Sequence, residues 1–127
     1  MHLEVVTPTG TAVDAEIDEV TAPGQIGEFG VLPGHTPFLS ALRPGVLRYV
    51  KGGHESRLAI STGLVEVTGT DRVVVMTERT AKPEDIDASA MRKELDEADA
   101  AAKTGDPLAE GRRAWAQARL DALARKA

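Results

Sequence analysis

Apolar and polar side chains alternate over short distances through the first eighty or so residues. Residues 13–18, Val-Asp-Ala-Glu-Ile-Asp, alternate apolar with acidic without a break, the two-residue period of a strand with one buried face. Residues 46–51 (VLRYVK) are rich in strand formers and run into Gly52-Gly53, with 56–61 (SRLAIS) placed to return, which predicts a hairpin. A second hairpin is predicted where LVEVTG and RVVVMTE flank Gly69-Thr70-Asp71, and HLEVVT at the start adds another strand. No helical period interrupts this set before about Lys82. Short strands at close spacing predict an antiparallel sandwich or barrel.

From Pro83 onward the pattern changes. Only two glycines remain, and Ala, Glu, Arg, Lys and Leu dominate, all but Gly being strong helix formers. Within 84–103, Ile86, Ala90, Met91, Leu95, Ala98 and Ala102 recur at helical spacing and predict one apolar stripe. Residues 103–107, Lys-Thr-Gly-Asp-Pro, punctuate the pattern. Gly105 suits the left-handed position after a helix, Asp106 suits the cap of the next, and Pro107 suits its first turn. The second helix carries Leu108, Gly111, Trp115 and Ala118 on one side, with Ala116, Leu120, Leu123 and Ala127 beside them. So short a loop predicts an antiparallel helical hairpin. The chain divides into a β domain over 1–82 and a helical hairpin over 83–127. The stripes are mostly alanine, and burying alanine removes little apolar area at about 25 cal/mol per Å², so weak packing of the hairpin is expected.

Charge and composition narrow the function. With 127 residues and 42% hydrophobic content the chain has material for one folded unit with an appendage. With a formal charge of −5, the basic face that nucleic acids require is not expected. There is no cysteine, hence no disulfide and no thiolate metal site. No apolar run approaches the roughly 20 residues of a spanning helix, and the start lacks the layout of a signal peptide. A cytosolic protein, or one held at a membrane through another subunit, is expected. The second helix carries Arg112, Arg113, Arg119, Arg125 and Lys126, and the first is predominantly acidic. One reading is a solvated pair whose opposite charges attract, at 0–1 kcal/mol per exposed pair. The other is a basic helix able to leave its neighbour for an acidic surface elsewhere.

Residues 27–37, Gly-Glu-Phe-Gly-Val-Leu-Pro-Gly-His-Thr-Pro, pack three glycines and two prolines around Glu28 and His35. No Gly-Lys-[Ser/Thr] sequence follows, so this is not a phosphate-binding loop of the Walker type. No nucleophile elbow is present, and His2, His35 and His54 lack metal-ligand spacing, so no metal site is expected. Glu28 and His35 offer an acid and a base, without a nucleophile or oxyanion site nearby, so catalysis is not expected.

The stretch GEFGVLPGHTPFLSALRPGVLRYV, followed by LAISTGLVEVTGTDRVVVMTE and an Ala/Arg-rich hairpin, resembles the epsilon subunit of F-type ATP synthases over nearly the whole chain. The resemblance implies an N-terminal β-sandwich of about ten strands and a C-terminal pair of helices. It implies a central-stalk rotor subunit lying against the gamma subunit and the ring of c subunits, with no bond chemistry of its own. Residues 27–37, with Gly27, Glu28, Gly30, Pro33, Gly34, His35 and Pro37, are then expected to form a rigid, outward-pointing loop that docks on the c ring. The setting implied is peripheral, at the cytoplasmic face of a bacterial plasma membrane, and chloroplast-encoded members share that layout.

The family's C-terminal helices can extend along gamma and block ATP hydrolysis at an acidic segment of the catalytic beta subunit. Arg112, Arg113, Arg119, Arg125 and Lys126 are the residues expected to meet it. Some bacterial members bind ATP through Ile/Leu-Asp-x-x-Arg-Ala at the start of the first helix. Here the stretch reads Ile86-Asp87-Ala88-Ser89-Ala90-Met91. Ala90 replaces the motif arginine, and Arg92 stands two residues on, about 200° around a helix. No cofactor is therefore expected, and ATP binding is expected to be weak or missing. Two other readings stay open: a nucleotide-sensing module around Ile86, Asp87 and Arg92, and an unrelated β-sandwich adaptor with a helical tail.

Overall fold

Each of the six predicted strand runs becomes a strand, and four more appear, three between the second and third runs and one after the last. The computed structural model describes residues 1–123. The strands are β1 (His2–Thr7), β2 (Gly10–Glu16), β3 (Glu19–Gly24), β4 (Gly27–Val31), β5 (Phe38–Leu42), β6 (Gly45–Lys51), β7 (His54–Ile60), β8 (Gly63–Val67), β9 (Arg72–Thr77) and β10 (Thr80–Ala81). The helices are α1 (Ala88–Lys103) and α2 (Ala109–Leu123). The strand order is β10-β7-β6-β3-β5-β8-β9-β1-β2, with β4 added to β3. The described pairs are antiparallel except β1 with β9, which run parallel.

A single residue pair, Gly24 with Leu42, joins β3 to β5. The sheet folds over at that seam into two layers, as expected of a sandwich. Inward positions of both layers meet in one core, including Leu47, Leu58, Ile60 and Val20 from one side and Leu3, Val5, Val65 and Val75 from the other. Each such side chain contributes roughly 1.5–3 kcal/mol on full burial. The register of β1 on β2 shifts between Val5 and Val6, where Ala12 of β2 is left without an opposite residue, the extra residue of a β-bulge.

Three expectations need correction. Residues 27–31 are strand β4, paired with β3 from Gly24–Gly27 to Val20–Val31, so only residues 32–37 form a loop. Glycine and proline signalled turns there, but β3 supplies a ladder that overrides local preference. The first helix starts at Ala88 rather than near residue 84, because Pro83–Asp85 makes one 3-10 turn and Ile86 and Asp87 are extended. The Asp87 carboxylate then caps α1, accepting from the Ser89 and Ala90 N–H groups at 2.9 and 3.4 Å.

At the hairpin loop Gly105 is placed as expected, whereas α2 begins only at Ala109, so Asp106 and Pro107 form the turn before the helix rather than its cap and first turn. Gly105 takes φ +84°, and Asp106 accepts from the Leu108 N–H at 2.9 Å. α1 packs on α2, and α2 lies across β6 and β7. The apolar contact there is small: Trp115, Ala118 and Ala122 close over Ala59, flanked by Val46, Ala81 and Ile86.

Candidate docking surfaces

Glu28 lies at the start of β4 and His35 beyond its end, and the two have different partners. Glu28 follows the β3–β4 turn, whose tip Ile26 is fully exposed, and Gly27 closes that turn at φ +142°. The Glu28 carboxylate accepts from Arg48 Nη2 at 2.9 Å. It lines a cleft between β6 and α2 that Arg113 and Gln117 border from the other side. Gly30 lies within β4 opposite Thr21.

Beyond β4, Leu32 to His35 form a β-turn, with the His35 N–H donating to Leu32 O at 3.1 Å. Pro33 and Gly34 occupy its centre, and Gly34 has φ +82°, the left-handed value that a type II turn demands. The His35 ring donates from Nδ1 to Thr36 O at 2.7 Å and tilts against Phe38 at 5.1 Å. Phe38 in turn meets Phe29 edge-on at 5.4 Å. Pro37 lies beside Gly69. His35 is therefore exposed on a braced loop, and no hydrogen bond joins it to Glu28, so the two form no acid/base couple.

A second surface was missed in the sequence. On the outer face of the other layer, Ala41 is opposite Leu64, Leu64 opposite Met76, and Met76 opposite Val6. An apolar row thus crosses four strands. Leu64 and Met76 are 44% and 40% exposed, and Leu39, one row away, is 65% exposed. A shallow hollow of about 400 Å³ opens beside Val6, Pro8, Leu64 and Met76. The next row is charged: Leu39 faces Glu66, and Glu66 and Glu4 flank Val74, with Glu4 paired to Arg72. The signal was present in the alternation itself, since Leu64 and Met76 fall at outward positions where polar residues are expected.

The hairpin arginines are engaged within the hairpin. Arg112 pairs with Asp106 at 2.7 Å, Arg113 with Asp99 at 3.0 Å and Arg119 with Glu94 at 2.5 Å. Arg119 also lies over the Trp115 ring, and Arg79 approaches the same ring from the sandwich, at 4.9 and 5.2 Å. Arg125 and Lys126 lie outside the described residues. Ile86, Asp87 and Arg92 do not converge: Ile86 packs towards Trp115, Asp87 is used as a cap, and Arg92 is exposed on α1.

At the edge formed by β1 and β2, His2 Nδ1 contacts Glu16 at 2.8 Å and Nε2 contacts Asp14. Glu16, then Asp14, raises the His2 pKa above its ordinary value, and His2 chiefly holds Glu16 below its own. Among the described residues no group of three or more His, Cys, Asp or Glu could hold a metal. No described helix is long and apolar enough to cross a membrane.

Comparison with known proteins agrees with this architecture. Residues 1–83 match the family described as ATP synthase, Delta/Epsilon chain, beta-sandwich domain. The chain is 41% identical to the ATP synthase epsilon chain of Geotalea uraniireducens over 107 residues, 84% of this chain and 77% of the relative. It is 43% identical to the epsilon chain of Geotalea daltonii over the same shares. In a solved structure of the Euglena gracilis mitochondrial ATP synthase (OSCP, F1 and c-ring), one chain superposes with a TM-score of 0.77 at 28% identity, covering 94% of this chain and 74% of that one. A chain of the Tetrahymena thermophila mitochondrial ATP synthase central stalk and c-ring shares the fold, with a TM-score of 0.60 at 14% identity over 89% of this chain and 96% of that one. With its two-layer sandwich, its C-terminal helix pair and these likenesses together, the chain belongs to the epsilon-chain family of F-type ATP synthases.

Proposed function

We propose that this chain is a non-catalytic rotor subunit of the central stalk of a proton-translocating ATP synthase. It links the gamma subunit to the c ring and restrains ATP hydrolysis through its C-terminal helices. The observation that carries the reading is the bare apolar row Ala41–Leu64–Met76–Val6 on one outer face. Contiguous exposed apolar surface of this kind marks a protein partner, and we assign it to gamma. The 32–37 loop, with Gly34, His35 and Pro37 on its surface and Glu28 at the far end of β4, supplies the c-ring contact. The assembly sits at the cytoplasmic face of a bacterial plasma membrane, peripheral and attached through the ring.

Inhibition falls to α2. Arg113 and Arg119 are paired with Asp99 and Glu94 while the hairpin is closed. They become available to the beta subunit only when α1 and α2 separate. The exposed Arg113–Asp99 pair opposes separation by only about 0–1 kcal/mol, so the main resistance is the apolar contact around Trp115. Nucleotide binding at Ile86 and Asp87 is weak in this reading, because the Asp87 carboxylate is committed to capping and Ala90 offers no side-chain donor.

The test is an add-back to the parent ATPase stripped of this subunit, using the full chain or residues 1–82. Both are expected to rebind, and only the full chain is expected to suppress ATP hydrolysis. Equal rates after confirmed rebinding would remove the inhibitory role.

A further inference from the structure

The loop that carries His35 is packed by ring and proline contacts but makes few hydrogen bonds to distant parts of the sandwich. Residues 32–37 lie between β4 and β5, outside both strands, and the His35 N–H to Leu32 O bond only closes the turn on itself. Among the described residues, the hydrogen bond that reaches the loop backbone from a distant segment is donated by the Gly34 N–H to Asp71 Oδ1, at 2.9 Å. Asp71 stands in the β8–β9 turn, 37 residues further along the chain. Pro37 rests beside Gly69 of that same turn. Asp71 is also tied down from behind: its O accepts from the His2 N–H at 3.0 Å, and its Oδ2 lies 3.6 Å from the Met1 ammonium.

Asp71 has φ +61°, the one described non-glycine residue at positive φ. Aspartate tolerates that region because its short side chain can bond locally. Here the side chain is instead turned outward to the neighbouring loop. A charged acceptor also holds an N–H more strongly than a neutral one.

We propose that Asp71 is the positioning residue of the docking loop, fixing the orientation of His35 from the β8–β9 turn. The proposal rests on the reading of residues 32–37 as a docking contact, and it adds a residue that touches no partner itself. Its chemistry requires an acceptor at Oδ1 and a residue that accepts positive φ.

Three variants separate these needs. Asp71→Asn keeps both the acceptor and the conformation. Asp71→Gly keeps the conformation and removes the acceptor. His35→Glu tests the docking surface directly. Two quantities are read on the full chain: amide hydrogen exchange at Gly34 in the free protein, and affinity for the parent ATP synthase stripped of this subunit. Asp71→Gly is expected to speed Gly34 exchange about tenfold, the loss of one hydrogen bond, and to weaken docking about three- to tenfold. Asp71→Asn, a neutral acceptor, is expected to recover most of both relative to Asp71→Gly, with Val65 exchange unchanged throughout. Unchanged Gly34 exchange in Asp71→Gly would overturn the tether. Faster exchange with undiminished docking, while His35→Glu weakens docking, would overturn the positioning role. A His35→Glu variant that docks normally would count against the docking reading, and Gly34 exchange would still decide the tether.

Discussion

The two outer faces of the sandwich carry similar aliphatic residues and meet different fates. Over β6 and β7, Ala59 and Val46 are roofed by Trp115, Ala118 and Ala122 of α2, and Ala59 is left with no exposure. Over β8 and β9, Leu64 and Met76 remain 44% and 40% exposed. Composition does not separate the faces; what covers them does. The covered face is closed by one tryptophan, small alanines, two arginines over the ring and surface ion pairs. That is a contact with little area, suited to reversible closure. The bare face presents a row across four strands, which is suited to a partner that stays.

The sharpest way to break this comparison is to remove the roof. Trp115→Ala is expected to destabilise the closed hairpin by about 3–5 kcal/mol, as for other buried aromatic truncations. The sandwich should keep its own melting transition, because Trp115 lies outside the core of Leu47, Leu58 and Val75. Proteolysis within residues 88–123, set against thermal melting of the β-sheet signal, measures the two separately. Loss of both together would show that hairpin and sandwich are one cooperative unit.

The converse change targets the bare face. Leu64→Glu with Met76→Glu is expected to weaken binding to gamma by 2 kcal/mol or more, about thirtyfold. Folding stability should fall by less, about 1 kcal/mol, because both side chains already meet water in part while the two new carboxylates stand directly opposite each other. Co-purification and chemical denaturation give the two numbers. A smaller effect is expected at the hairpin loop. Asp106→Ala removes the acceptor for the Leu108 N–H and should cost the hairpin about 1 kcal/mol, read as loss of helical signal on heating.

The smallest effect is a pH dependence at the β1–β2 edge. The His2 pKa is raised above 6.5 by Glu16 and Asp14. Its stabilisation is therefore complete below 6.5 and lost as pH rises through the higher folded value. Glu16, lowered from 4.5 chiefly by His2, stabilises above 4.5 and loses that as pH falls through its lower folded value. Melting temperatures of wild type and His2→Gln should differ most between these limits, at about pH 5–6, and converge in alkali. A constant difference across that range would remove the charge-based account of this edge.

How much of this was legible in the sequence depends on which residues carried each element. β6 to β9 were readable because Leu47, Leu58, Val65 and Val75 alternate with outward residues, and a two-residue period leaves few alternatives. β3 and β4 were not, because Pro23, Gly24, Gly27 and Gly30 interrupt the alternation, and their strand state depends on pairing with each other. The hairpin loop was readable from Gly105 and Asp106, whose roles are local. The start of α1 was misread because Pro83, Glu84 and Asp85 form an acceptable first turn on propensity alone, whereas Asp87 makes the cap. The 32–37 loop was visible as part of a motif, but its hydrogen bond to Asp71 spans 37 residues and leaves no local trace. The bare face escaped because exposure is a property of the folded surface, and Leu64 and Met76 resemble core residues until their register is known.

The central claim is that the bare face is the permanent contact and the covered face is the movable one. Amide hydrogen exchange of the full chain, free and bound to gamma, tests it most directly. The account predicts added protection in β8 and β9 around Leu64 and Met76 on binding, with β6 and β7 around Val46 and Ala59 unchanged while the hairpin stays closed. Protection confined to β6 and β7, with Leu64 and Met76 exchanging as in the free chain, would contradict it.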